Sequence, residues 1–426
     1  MFENIIGNKK VIDTLKHDII NDLLPPAILL TGKEFGGKFT VALEIARSIT
    51  CKMKRNWNCN CKSCSQNRTL NFPDLLIIGN RNCTLEIKAG ADVLLKNKTL
   101  SSYYLFVRAI RKLTSRFDYR LFEPNDPTFI KASSIIPDIE ESLFSLNKDE
   151  IEHYDDKKLE TIVSSLVKKG EKLQEECMYD SIPVSVVRSV ISYLHLKAQD
   201  ERKIVIIENA NKMQESARNA FLKIIEEPPS YVNFILTSCN KNAIMPTILS
   251  RVRHYIFPKR SEKEDAEILD RIFKKEKIEH IDNFPLLASF FYNYLPVPYV
   301  EIYNCATLFW KSVLNNKNLN ILRFSSLKKV IEKKNNISFE KETSISSIVN
   351  ALNKCKPSII YHLFLFNIIH LLNEVIVIGE FSPLEVEAYK EVLIAVKDAK
   401  TKVEFFNMNV QNVLDELQER LGKIFL

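Results

Sequence analysis

Ala27-Ile28-Leu29-Leu30-Thr31-Gly32-Lys33-Glu34-Phe35-Gly36-Gly37-Lys38-Phe39 is the stretch on which the fold turns. A short apolar run enters a glycine loop, and Phe39 to Ile49 follows as a helix with Ala42, Leu43, Ile45 and Ala46 apolar. Strand, glycine loop and helix, in that order, form the context of a phosphate-binding loop with the spacing G-x-x-x-x-G-K-[ST]. Such a loop turns successive backbone N–H groups and a helix N-terminus toward phosphate oxygens. Gly32 and Gly37 would form that cradle, and Lys38 would reach the outer phosphates. Phe39 stands where the pattern needs a hydroxyl for Mg²⁺. Thr40 has one, but a step of one helical residue turns it about 100° round the axis. A glycine turn that merely joins strand to helix has the same spacing. The flanking strand and helix favour the phosphate loop, and so does composition: with nine glycines in 426 residues, three within six positions imply a backbone requirement.

Outward from this loop the elements alternate. Residues 9–20 have helical periodicity, Asp74 to Ile78 reads as a strand, and Val184–Leu196 as a helix. Lys203 to Ile207 is a buried strand, Met213–Glu227 a helix stopped by Pro228-Pro229, and Asn233 to Thr237 another strand. Strands alternating with helices predict an α/β domain with a doubly wound parallel sheet. Residues from about 80 to 180 interrupt it as a charged insertion without a repeat, containing helices such as Lys158–Cys177. Beyond Pro258 strand signals fade and helices remain.

The acidic strand of a hydrolysing phosphate-loop domain ends in Asp-Glu, where Asp organises Mg²⁺ and Glu orients the attacking water. Here the strand ends in Glu208-Asn209. Glu208 has one methylene more than Asp, and Asn209 cannot act as a base near neutral pH. Phosphoryl transfer depends on positioning and metal charge, so losing both parts predicts the loss of most of the rate. Glu208 and Asn209 simply capping the strand is compatible with such a site.

Cys51, Cys59, Cys61 and Cys64 follow the helix with spacing C-x7-C-x-C-x2-C, among Lys, Arg and Asn. Four thiolates with almost no apolar neighbours suit a closed, structural, tetrahedral Zn²⁺ site better than scattered core thiols. The single residue between Cys59 and Cys61 departs from the usual two.

Length, at 426 residues, predicts several domains. A 46% hydrophobic and 27% charged composition is that of a globular protein. Net charge +7 permits a polyanionic partner without demanding one. Met1-Phe2-Glu3-Asn4 lacks the order of a signal peptide. Ile359 to Ile378, the most apolar stretch, is broken by His362, Asn367, His370, Asn373 and Glu374 and reads as a buried helix, so no membrane contact is expected. An odd number of cysteines, nine, without an export signal predicts reduced thiols and a cytoplasmic location.

Ala217-Arg218-Asn219-Ala220-Phe221-Leu222-Lys223-Ile224-Ile225-Glu226-Glu227-Pro228-Pro229 and Pro246-Thr247-Ile248-Leu249-Ser250-Arg251 resemble the clamp-loader family of AAA+ ATPases. Phe2-Glu3-Asn4-Ile5-Ile6-Gly7 and the four-cysteine module add to the resemblance, which is to the bacterial DNA polymerase III clamp loader. The resemblance spans residues 1–79 and 180–258. The lost hydrolytic residues point to its delta-prime branch and away from the gamma/tau motor. It implies an AAA+ domain over 1–258, a helical lid over 259–305 and a helical collar over 306–426, in which Ser358–Ile378 and Val403–Leu421 could pack on neighbouring collars or in an ordinary core.

The resemblance further implies that Arg251 projects into a neighbouring subunit's ATP site as an arginine finger acting in trans. Val252 replaces the cysteine that follows this arginine in the family. A surface or helix-capping role is the plain alternative for Arg251, and Arg253 is a rival. Thr237 and Ser238 fall at the first sensor position, and no arginine occurs between Arg271 and Arg323 to serve as the second. The implied partners are gamma/tau and delta subunits, with the sliding clamp and primer–template DNA reached through the complex. An active AAA+ motor, with Glu208 and Thr40 holding the metal, is the alternative function. A nucleic-acid-binding module built on the cysteines and Lys52-Met53-Lys54-Arg55 is a third.

Overall fold

The computed structural model describes residues 1–196, 198–199, 201–275, 278, 280–281, 284–314, 320–333, 345–352, 358–378, 382–406 and 408–426. Two compact units are present, Met1–Tyr294 and Leu295–Leu426.

The first unit is built on five strands, β1 (Ala27–Gly32), β2 (Leu75–Gly79), β3 (Lys203–Glu208), β4 (Val232–Ser238) and β5 (Arg253–Phe257), in the order β2-β3-β4-β1-β5 with every pair parallel. Its helices are α1 (Lys9–Ile20), α2 (Lys38–Thr50), α3 (Lys62–Arg68), α4 (Thr84–Asn97), α5 (Leu100–Thr114), α6 (Pro127–Ser145), α7 (Asp156–Cys177), α8 (Val184–Leu194), α9 (Glu215–Glu226), α10 (Pro246–Leu249), α11 (Glu262–Arg271) and α12 (Leu286–Tyr292). Strand side chains alternate between faces. Leu29, Ile78, Val205 and Leu236 therefore pack with α8 and α9 on one side, while Ile28, Leu30, Ile77, Ile206 and Ile235 pack with α1 and α2 on the other. Both faces are covered, which is why β1 to β4 read as continuous apolar runs. Only β5 escaped the sequence reading. As an edge strand it buries Tyr255 and Phe257 but leaves Ile256 62% exposed, and it carries Arg253 and His254 in place of an apolar run.

The segment from about 80 to 180 is a helical block with its own core. Ile87, Phe106, Ile110, Leu113, Ile139, Val163 and Leu166 are buried together between α4, α5, α6 and α7. Local chemistry sets the helix starts. Thr99 and Ser102 form a capping box for α5, Asp126 caps α6 ahead of Pro127, and Asp155 caps α7.

The second unit holds α13 (Tyr299–Leu314), α14 (Ser325–Lys333), α15 (Ile345–Leu352), α16 (Ser358–Ile378), α17 (Pro383–Phe406) and α18 (Val410–Ile424). α13 runs unbroken across position 305, where the sequence reading divides lid from collar. α16 is a core helix: Phe364, Asn367, Ile368 and Leu371 are fully buried, and Asn367 accepts a hydrogen bond from Tyr299 at 2.6 Å. Among the described residues no helix is long and apolar enough to cross a membrane. The stretch Val403–Leu421 is two helices, not one. Asn409 ends the continuity, because its side chain accepts from the N–H groups of Gln411 and Asn412 and so starts a new helix.

Candidate functional site

The glycine loop leaves the C-terminal end of β1 and opens α2, as its spacing predicts. Gly32 and Gly37 both adopt positive φ, 155° and 82°. A Cβ at Gly32 would lie 2.4 Å from the Phe257 carbonyl, and one at Gly37 2.1 Å from Nη2 of Arg260. Glycine is needed at both places for backbone reasons, with or without a nucleotide.

The loop's carbonyls are met from inside the chain. Lys38 turns back, and its Nζ donates to the carbonyls of Gly32 (2.8 Å) and Lys33 (2.6 Å) and to Cys239 Sγ (3.8 Å). Burial holds its amino group below the usual lysine range. Arg260 donates to the Phe35 carbonyl at 2.7 Å, Asn8 to the Gly36 carbonyl at 3.3 Å, and the Phe35 ring stacks on Phe291 with centroids 5.4 Å apart.

Phe39 is buried in core, 5% exposed, while Thr40 points to solvent. Three cations surround the Phe39 ring: Arg81 at 5.6 Å, Arg116 at 5.6 Å and Lys112 at 5.9 Å from its centroid. All three come from the inserted segment. Arg116 pairs with Glu208 Oε2 and donates to the Gly79 carbonyl at 2.8 Å, and Arg81 Nη1 lies 3.3 Å from Glu208 Oε1. Arg81 also meets Glu86 at 2.8 Å, and Lys112 pairs with the other oxygen of Glu86. Burial pushes the Glu86 carboxyl up, but Lys112 and Arg81 outweigh it and bring it down to about 2. Asn209 sits in the left-handed region at φ 55°; its side chain donates to the Asn80 carbonyl at 2.6 Å and its N–H to Thr237 Oγ1 at 3.3 Å. Ser238 Oγ accepts from the Asn240 N–H at 3.1 Å and has its single proton within reach of Asn211 Oδ1 and the Asn240 carbonyl.

At the other end of α2, Cys51, Cys59, Cys61 and Cys64 converge. Their four sulfur atoms lie within 4.8 Å of one another, with Cys51 Sγ 3.7 Å from Cys59 Sγ and 4.0 Å from Cys61 Sγ. A tetrahedral ion with Zn–S bonds of about 2.3 Å requires sulfurs about 3.8 Å apart. The set therefore fits Zn²⁺ and could hold it. Burial raises the Cys61 thiol, but hydrogen bonds from Cys64 and Cys59 outweigh it and bring it to about 7. Cys64 goes the other way, raised by burial and by neighbouring sulfurs; a bound cation would reverse that.

Arg47 was invisible as a site residue in the sequence. Its guanidinium, 2% exposed, donates to Cys64 Sγ at 3.1 Å, to the Asn56 and Arg55 carbonyls at 3.1 and 3.0 Å, and to Glu44 at 2.7 and 2.8 Å. Glu44 Oε1 in turn accepts from the Phe2 N–H at 3.0 Å. The i,i+3 pair of Glu44 and Arg47 on the helix leading to Cys51 was the available signal.

Arg251 follows the one-turn helix α10. Its Nη2 lies 2.6 Å from Glu226 Oε1, and its Nη1 donates to the Thr247 carbonyl at 2.7 Å and to Ser250 Oγ at 3.1 Å. The side chain is 34% exposed and Glu226 48%. Arg253 is committed elsewhere: it lies 3.0 Å from Asp18, which is 3% exposed and also accepts from Tyr255 at 2.6 Å.

A parallel α/β domain with a glycine loop at the C-terminal end of β1 and an acidic residue at the end of β3 is a P-loop nucleotide-site domain in architecture. The family described as "DNA polymerase III, delta subunit" matches residues 7–141 and 144–261, and the chain belongs to it, a clamp-loader family. The match runs through the helical block as well, which the sequence motifs alone did not reach. A DNA polymerase III subunit delta' from Buchnera aphidicola is 35% identical over 103 residues, 24% of this chain and 31% of that protein. A gamma/tau subunit from Mycoplasma genitalium is 38% identical over 79 residues, 18% of this chain and 13% of that protein. The chain thus spans less than a third of these relatives' length. A gamma subunit-related protein from Thermotoga maritima overlaps 61% of the chain and 90% of its own at 18% identity and a TM-score of 0.28, too low to carry an argument.

Proposed function

We propose that this chain is a non-hydrolysing, stator-like subunit of the DNA polymerase III clamp loader, a degenerate AAA+ ATPase and not itself an enzyme. It donates Arg251 in trans to the ATP site of a neighbouring gamma/tau subunit and, with delta, helps place the sliding clamp on primed DNA. It works in the cytoplasm, with 259–305 as lid and 306–426 as collar, and the four cysteines hold a structural Zn²⁺. The observation that carries this reading is the pairing of Glu208 with Arg81 and Arg116, which leaves the acidic strand no carboxylate for a metal. Arg251 supports it from the other side. Its one acidic partner among the described residues is a half-exposed carboxylate, and such pairs are worth about 0–1 kcal/mol, so a phosphate can displace it. Moving Arg253 would strand the buried Asp18.

The test is reconstitution with the gamma/tau and delta subunits of the same organism. Arg251→Ala is expected to lower the DNA-stimulated ATPase of the complex by roughly tenfold or more at each site it serves, while Arg253→Ala chiefly lowers stability. Unchanged ATPase with Arg251→Ala would sink the finger. An active motor is the second reading, favoured by the 38% identity to a gamma/tau subunit. It requires the chain alone to turn over ATP, and Phe39→Thr to leave or raise that rate.

A further inference from the structure

The helical block supplies Arg81 and Arg116, on whose pairing with Glu208 the non-hydrolysing reading rests, and the present inference deepens that reading. The block's basic residues have helical spacing. Arg108, Arg111 and Lys112 lie on α5, and Arg116 one turn beyond. A basic stripe at that spacing is ordinarily a solvated helix face. Here it points inward. Arg108 and Arg111 donate to the carbonyls of Arg68 and Thr69, at 2.8 and 2.9 Å, and so cap the C-terminal end of α3 in the cysteine module. Lys112 and Arg116 reach the Phe39 ring, and Arg116, fully buried, pairs with Glu208.

We propose that the inserted block is a built-in replacement for the divalent cation of the nucleotide site: Arg116 and Arg81 supply the positive charge beside Glu208 at the end of β3, and Phe39 fills the place of the metal-bound hydroxyl as the ring on which those cations rest. The charges fit the role. Arg81, Lys112 and Arg116 pair with two carboxylates, Glu86 and Glu208, so the cations outnumber the carboxylates with no ion bound. Phe39 completes the exchange, because an aromatic face attracts a guanidinium where a hydroxyl would have attracted Mg²⁺. This inference goes beyond the arginine finger and stands whether or not Arg251 acts on a neighbour.

A double-mutant cycle on the full chain tests it, read as thermal midpoints with and without Mg²⁺ and ATP. A carboxylate meant for a metal is relieved by neutralisation, whereas one paired with buried arginines is not. Glu208→Gln is therefore expected to lower the midpoint by on the order of 10 °C, and Arg116→Met added to it to cost less than the two changes summed. Glu208→Asp, milder and carrying the usual metal-binding carboxylate, is expected to lower the midpoint and to gain no Mg²⁺ dependence; it decides the matter should Glu208→Gln not fold. An unchanged or raised midpoint in Glu208→Gln, additive costs, or a Mg²⁺-dependent rise in Glu208→Asp would overturn the proposal.

Discussion

The glycine loop enters α2 at Lys38, and Cys51 follows that helix's last residue, so one 13-residue helix carries a site at each end. At the first end three side chains that would serve a nucleotide have partners within the chain: Lys38 in the loop's own carbonyls, Glu208 in two arginines, Asn209 in a backbone carbonyl. At the second, four sulfurs converge at the spacing of a tetrahedral ion. The difference lies in what side chains can imitate. A guanidinium can neutralise one carboxylate and share its hydrogen bonds. No side chain offers four soft bonds to four thiolates, so this end is expected to depend on the proposed Zn²⁺ for its structure.

Removing the metal should separate the two ends most strongly. Metal analysis of reduced protein should find about one zinc per chain, and chelation or Cys64→Ser should abolish the cooperative unfolding of the first unit, since structural zinc contributes on the order of 10 kcal/mol in small domains. Protein without zinc that unfolds normally would make the two ends alike. Next in size, Arg47→Met should cost about 3–5 kcal/mol by leaving Glu44 buried and unpaired, and adding Glu44→Leu should recover part of it. Denaturant titration measures both, and equal losses in single and double variants would remove Arg47 from the cysteine site.

The cation cluster adds a pH signature. The Glu86 carboxyl is held at about 2 against 4.5 when unperturbed, a difference worth roughly 3 kcal/mol. Its folded value is the lower one. Its contribution is therefore complete above about pH 4.5 and fades as pH falls toward 2. Glu86→Gln should flatten the stability curve over that window and leave its slope at neutral pH unchanged. An unchanged acid limb would mean the cluster is not closed as described.

Much of this was legible in the sequence for identifiable reasons. β1 to β4 are buried on both faces and so announce themselves as apolar runs, and the glycine spacing and the four cysteines mark both ends of α2. β5 was hidden because only Tyr255 and Phe257 of it lie inside, whereas β2, at the opposite edge, is buried throughout. The partners of Glu208 and of the loop carbonyls were hidden because they come from far along the chain. Arg116 lies 92 residues from Glu208 in sequence, and Arg260 lies 225 from Phe35. No local pattern records such a meeting, and the stripe Arg108-Arg111-Lys112 on α5, with Arg116 a turn beyond, reads by itself as an ordinary solvated face.

ATP turnover by the isolated, zinc-replete chain, with Mg²⁺ present, bears most directly on the account that hydrolysis has been closed off here from within. The expected rate is indistinguishable from the uncatalysed background and the same in Glu208→Gln. Sustained turnover that Glu208→Gln or Lys38→Ala abolishes would contradict it.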